Sequence, residues 1–161
     1  MSRILRILSI AVVALALTTP AWAGESEEEQ EIIKDLKEMW KEIAAKELSD
    51  VLVGPKGLIQ ASSSGGLWHV FETTEALAAF LEASPTMRFT PYHIDVRFLG
   101  SQKDVAYVTY YLVGTIAREG KEAIINYRTR ASSVMEKSDG QWISVGSHYS
   151  PLFGGSGLVT D

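Results

Sequence analysis

The sequence predicts an α+β domain in which a curved antiparallel sheet wraps around N-terminal helices. Three observations carry that prediction. An amphipathic helical pattern comes first, with Ile32, Ile33, Leu36, Met39, Trp40, Ile43 and Ala44 at three- and four-residue spacing. Consecutive β-patterned runs then fill the C-terminal half, and helices followed by strands imply a layered α+β fold. The last two runs flank Ser138, Asp139 and Gly140, and an Asp-Gly step between alternating runs is the strongest short-range hairpin signal. A sheet that must cover a helix does best when curved, so its inner face should form a cone.

Residues 1–23 read as an export signal. Arg3 and Arg6 make a positive start, residues 7–17 are an apolar run, and Ala21, Trp22 and Ala23 form a small-x-small cleavage site. That apolar run is shorter than the roughly 20 residues a membrane-spanning helix needs. The mature domain is expected over residues 24–152, with 153–161 a loose tail and the destination periplasmic or secreted. Starting at Gly24, the chain keeps 13 of its 15 basic residues and all 20 acidic ones, a net charge of −7. An acidic chain without a basic cluster argues against nucleic acid, and against membranes once the signal is cleaved. Cysteine is absent, which excludes lipoprotein processing and leaves an exported fold to depend on its core.

Acidic residues 25–30 lead into the first helix and suit the positive end of its dipole. Its other face, with Lys34, Asp35, Lys37, Glu38, Lys41 and Glu42, reads as solvated. Residues 50–66 form a glycine- and serine-rich loop around a short strand at 58–61. Thr73 or Thr74 offers an N-cap for a second helix at 75–82, which Ser84-Pro85 stops. Strands follow at 88–99 and 105–116, then the hairpin over 122–150.

The hairpin residues Arg130-x-Ser132-x-Val134, Asp139-Gly140-x-Trp142 and His148-x-Ser150 resemble the closing hairpin of the nuclear transport factor 2-like superfamily. Within it the chain is similar to small exported SnoaL-like domains and to the association domain of calmodulin-dependent kinase, over roughly residues 28–152. The resemblance implies a cone-shaped, cystatin-like roll with a pocket at its open end and no cofactor. It also implies self-association, as homodimers or larger rings, through the sheet's outer face. The kinase association domain carries pocket arginines; the matching positions here are Leu112, Ser133 and Tyr149.

If Ala106 and Val108 face inward, as the resemblance implies, strand alternation assigns the rest of the wall. Tyr110 and Leu112 join them, with Tyr92, Ile94, Val96 and Phe98 from the preceding strand. The hairpin contributes Ile125, Tyr127, Thr129, Ala131 and Ser133, answered by Ile143, Val145, Ser147 and Tyr149. Trp40 and Trp68 would close the cone. The ligand-binding candidates are therefore Trp40, Tyr92, Tyr110, Leu112, Tyr127, Thr129, Ser133, Ser147 and Tyr149, suited to a small hydrophobic or aromatic ligand. On the outer face, Tyr107, Tyr111 and Trp142 form a candidate dimer surface, and Arg128 and Arg130 are expected to pair with acids across strands.

Two functions follow. In the first, the domain is a non-enzymatic small-molecule-binding or assembly module. In the second it is a cofactor-independent isomerase, dehydratase or cyclase, with Tyr92 and Tyr110 polarising a carbonyl and His93 or Asp95 moving the proton. The second requires His93 or Asp95 to line the pocket, whereas alternation puts them on the polar face. Three scattered histidines without matching Cys, Asp or Glu spacing predict no metal site.

Overall fold

A computed structural model describes residues 26–48 and 53–152. The proposed export signal and the tail at 153–161 lie outside the described residues. Helix α1, Glu27–Ala45, opens on a capping box: the Glu29 N–H donates to Ser26 Oγ at 3.2 Å, and the Ser26 N–H to Glu29 Oε2 at 2.6 Å. Three glutamates fill the first turn, where the helix dipole favours them. Ile32, Leu36, Trp40 and Ile43 are buried along one face, each stabilising the fold by about 1.5–3 kcal/mol on transfer grounds. Lys46 caps the helix in a left-handed conformation, and its Nζ donates to the carbonyls of Leu81 and Ser84, tying α1 to the end of the second helix.

The remaining elements are β1 (Leu58–Ala61), β2 (His69–Phe71), α2 (Thr74–Ala83), β3 (Thr86–Leu99), β4 (Val105–Ala117), β5 (Ile124–Ser138) and β6 (Gln141–Pro151). They build a six-stranded sheet in the order β2-β1-β6-β5-β4-β3. Four long strands run antiparallel in sequence, while β1 joins β6 in parallel and makes the sheet mixed. The three-residue strand β2 is too short for alternation to announce it. The Asp139-Gly140 turn has both residues at positive φ, 51° and 82°, and closes the pairing of Ser138 with Gln141. That is the backbone a two-residue hairpin turn demands. At the base of this hairpin Lys137 Nζ lies 3.6 Å from Glu28 and 3.7 Å from Glu31, and 5.5 Å from the Trp142 ring centroid. α1 packs along β3, and the core lies between the helices and the sheet's inner face.

Alternation holds along β4, where Ala106, Val108, Tyr110 and Leu112 are all at most 2% exposed. In β5 it holds from Tyr127 to Met135. Elsewhere bulges correct it. Between Tyr92 and Asp95 the register with β4 shifts, and His93 sits at φ 49°. The extra residue turns the strand over, so Phe89 and Met87 pack inward before it and Ile94, Val96 and Phe98 after it. Tyr92 is left on the outer face, 49% exposed and paired with Tyr111. In β6 the register jumps from Gly146 to Ser144 opposite Val134 and Met135. Trp142 and Ser144 therefore turn inward and Val145 does not, while Ile143 still borders the inner cavity, and Trp142 is buried in the core rather than on a dimer surface. Ile125 is 71% exposed, next to Asn126 at φ 57° and a register shift against β4. Trp68 is also exposed and lies against His148 outside the cone.

Candidate ligand cavity

A cavity of about 540 Å³ opens between α1, α2, the loop after β1 and the concave side of the sheet. Helix α1 lends Leu36, Met39, Trp40 and Ile43, and α2 lends Leu77, Phe80 and Leu81. Strands β3 to β6 supply the floor. The aromatic part is edge-packed: Trp40 meets Phe89 at 5.4 Å and Tyr149 at 6.1 Å, and Phe89 meets Tyr127 at 5.1 Å between ring centroids.

Across the floor runs a chain of hydroxyls. Ser144 Oγ lies 3.1 Å from Ser147 Oγ, Ser147 3.1 Å from Ser133, and Ser133 3.4 Å from the Tyr110 hydroxyl. The register explains the chain, because Ser133 pairs with both Val108 and Ser147 and all share the inner face. Tyr127 and Ser63 form a second hydroxyl pair, and Thr129 Oγ1 donates to the Ser150 carbonyl at 2.6 Å. Burial, first, pushes the Tyr149 phenol well above its ordinary range, and the neighbouring Tyr110 adds to this. Burial raises Tyr110 too, partly offset by Ser133, Tyr149 and Trp40; Tyr127 is raised by burial against Ser63 and Thr129. These phenols stay neutral at pH 7 and act as hydrogen-bonding groups rather than bases. Among the described residues the buried indole N–H of Trp142 has no hydrogen-bond partner, and that of Trp40 faces the Tyr110 hydroxyl without forming a hydrogen bond of normal geometry.

Charge is confined to the mouth, where Asp35, Glu38 and Glu42 from α1 and Arg118 after β4 contribute. Burial and the nearby Glu31 carboxylate raise the Asp35 carboxyl, against a smaller effect of Lys34. Glu38 is lowered by its bond with Lys41. Among the described residues no histidine lines the cavity, and no group of three His, Cys, Asp or Glu side chains is placed to hold a metal ion.

Of the residues expected to bind ligand, Trp40, Leu112, Tyr127, Thr129, Ser133, Ser147 and Tyr149 line this cavity. Tyr110 stands behind the wall and reaches it through Ser133. Tyr92 does not belong, because the β3 bulge carries it outside. The proton carriers His93 and Asp95 are outside as well: both are exposed, and Asp95 accepts from Arg97 Nε at 2.8 Å.

Residues 30–154 match the SnoaL-like domain family. The chain belongs to that family. Among solved structures, it is similar to a Xanthomonas campestris protein described as a calcium/calmodulin-dependent protein kinase II association domain. The identity is 20%, the TM-score 0.60, and the match covers 80% of this chain and 91% of that one. The Caenorhabditis elegans kinase association domain matches at 20% identity and TM-score 0.59, covering 78% and 97%. A Streptomyces avermitilis protein described as a dehydratase of the nuclear transport factor 2-like family matches at 13% identity and TM-score 0.60, covering 81% and 99%. At these identities the likeness establishes the fold. No curated protein matches the chain.

In this SnoaL-like domain several cavity residues escaped the sequence reading. Asp35 and Glu38 were read as solvated helix positions, yet the cavity mouth reaches round to that side of α1. Ser63 sits in a serine-glycine loop, where pattern gives no direction. Ser144 and Trp142 were hidden by the β6 bulge.

Proposed function

We propose that the chain is exported and serves as a self-associating module that takes a neutral, largely apolar small molecule into the inner cavity. The observation that carries this reading is the charge distribution. The deep wall is aromatic and hydroxyl-bearing, and its carboxylates stand only at the mouth. An ionised ligand head would lose hydration there without a counter-charge, whereas a neutral aromatic body gains apolar contact and hydroxyl partners. A volume near 540 Å³ suits a bicyclic or tricyclic molecule. The Leu112, Ser133 and Tyr149 side chains make the same case against a carboxylate ligand in this cavity.

Self-association is supported by one rung of the outer face. Tyr107, Val134, Gly146, Ile59 and Val70 are registered side by side across β4, β5, β6, β1 and β2. Ile59 is 47% and Val70 62% exposed, an apolar stripe of the kind that interfaces cover. The calmodulin-dependent kinase association domains among the structural neighbours favour the same use.

Titration calorimetry with indole and 2-naphthol tests the cavity. Saturable binding with a negative heat-capacity change is expected, and Ser147→Leu, which projects into the cavity, should abolish it with the fold intact. Absence of binding to any neutral aromatic, or binding indifferent to Ser147→Leu, would refute the reading. Export is checked by the N-terminal residue of protein recovered outside the cytoplasm, expected to be Gly24.

A cofactor-free isomerase, dehydratase or cyclase is the second reading, and Asp35 favours it. This carboxylate is at the cavity mouth and binds its proton more tightly than usual, as a general acid–base group requires. His93 and Asp95 take no part in this version.

A further inference from the structure

We propose that the outer face of the sheet holds a second ligand site, for small organic oxyanions, centred on Arg130. The site is independent of the inner cavity and lies on the rungs beside the apolar stripe.

A cleft of about 380 Å³ runs from the β3 bulge across β4 and β5 to β6. Its geometry follows from the register. Tyr111, Arg130 and Ser150 are directly opposed on three strands, and Thr109, Ser132 and His148 form the next rung. Side chains on one face of adjacent rungs are close enough to share a ligand. The bulge brings in one more group: His93, held at φ 49°, places its ring 6.0 Å from Tyr111 and lines the same cleft. A histidine in the left-handed region is uncommon, and here it marks the bulge that sets this ring against Tyr111.

The lining is built almost wholly of donors. Among the described residues it holds one guanidinium, two imidazoles and several hydroxyls, and no carboxylate, in a chain with 20 acidic residues. Cross-strand acids were expected to neutralise the outer arginines, and they do not. Arg128 Nε instead donates to Asn126 Oδ1 at 2.9 Å. Among the described residues the Arg130 guanidinium has no protein acceptor. The nearest carboxylate by register, Asp95 opposite Thr109, is outside the lining and held by Arg97. Such a cleft calls for a ligand rich in acceptors, and a planar guanidinium fork matches a carboxylate or phosphate edge. The ring of Tyr111, 41% exposed, supplies an apolar side, and the volume exceeds a bare inorganic ion. The ligand is therefore an oxyanion on an organic body, a carboxylate or a phosphate ester.

The test titrates the full chain with benzoate, phenyl phosphate and inorganic phosphate at constant ionic strength, followed by amide chemical shifts. Saturable shifts around Arg130 and His148 with benzoate or phenyl phosphate are expected, and the tighter of the two identifies the head group. Arg130→Gln should weaken binding about tenfold or more, as for loss of a charge-assisted pair. Arg128→Gln, on the same face two residues away, should leave it unchanged. The proposal is overturned if neither organic anion gives saturable shifts, or if Arg130→Gln and Arg128→Gln weaken binding equally. Inorganic phosphate binding as tightly as phenyl phosphate would overturn the organic body. These outcomes leave the neutral inner cavity unaffected, since its ligand makes no contact with Arg130.

Discussion

Replacing Ser133 by alanine tests the inner wall directly, because its neighbour Ser132 provides a control on the opposite face. Ser133 is 3% exposed and links the Ser147 hydroxyl at 3.1 Å to that of Tyr110 at 3.4 Å. Its loss breaks the chain in the middle. Ser147 keeps Ser144 at 3.1 Å, so it is not orphaned. Tyr110 keeps an interaction with Tyr149 but loses its serine inside the wall. Net hydrogen bonds are each worth about 0.5–1.5 kcal/mol, and the 3.4 Å bond belongs at the low end, so the expected loss is about 1–2 kcal/mol. Ser132→Ala removes a hydroxyl that meets solvent, and should cost no more than about 0.5 kcal/mol. Urea unfolding at pH 7, followed by tryptophan fluorescence, is the assay. Ser133→Ala should lower the midpoint with an unchanged slope, since no surface is newly exposed. Equal midpoints for the two variants would show that the hydroxyl chain does not form and that the facing of β5 is misassigned.

Three further outcomes follow from the same wall and its flanks. Gly114→Ala should lower Tm by at least about 5 °C, since overpacking costs about 1–3 kcal/mol; its Cβ would clash with the Arg88 carbonyl oxygen and stand 2.8 Å from Phe89 Cδ1. Differential scanning fluorimetry reads it, and an unchanged Tm would contradict the β3–β4 register. Tyr110, Tyr127 and Tyr149 hold their protons more tightly folded than unfolded, so stability is fully present below pH 10.0 and falls as pH rises beyond it. Phenolate absorbance and far-UV circular dichroism should therefore change together in alkali; full ionisation of all six tyrosines with native dichroism would oppose this. Asp35→Asn should stabilise at neutral pH and lose that advantage towards pH 3, because a raised carboxyl favours folding only while protonated, below its ordinary 3.8. An Asp35→Asn variant less stable at pH 7 would reverse the sign.

Much of this architecture was legible in the chain, for identifiable reasons. The Asp139-Gly140 turn has few backbone solutions, and it fixed the pairing that places Tyr127, Thr129, Ala131 and Ser133 inward. Helix α1 showed itself because Ile32, Leu36, Trp40 and Ile43 repeat at its period. What alternation cannot carry is an inserted residue. Each of three register irregularities reversed an assignment nearby: Tyr92 at the β3 bulge, Ile125 beside Asn126, and in β6 Val145, which gives way to Trp142 and Ser144. Histidine at φ 49° and asparagine at φ 57° are compatible with such positions, but neither residue type demands them as glycine would. The short strands β1 and β2 were under-determined for a different reason. Their partner β6 is distant in sequence, and three or four residues give alternation too little to act on.

Those irregularities also bear on function. Regular alternation through β3 would put Tyr92 inside and leave His93 and Asp95 as neighbours on one polar face, the arrangement an acid–base pair would need to slip inward together. The bulge separates them: His93 enters the outer cleft beside Tyr111, while Asp95 turns to Arg97. In β6 the second bulge moves Trp142 into the core and leaves Ser144 as the last member of the hydroxyl chain. The two faces acquire opposite chemistry by this route. Among the described residues the deep wall inside is neutral and its carboxylates stand at the mouth, while the outer cleft gathers Arg130 and two imidazoles without a carboxylate. A relative with the same fold but a regular β3 would keep its His93 equivalent on the outer face and gain a tyrosine in the cavity. Its cavity should therefore prefer a different ligand, even if every other wall residue were shared.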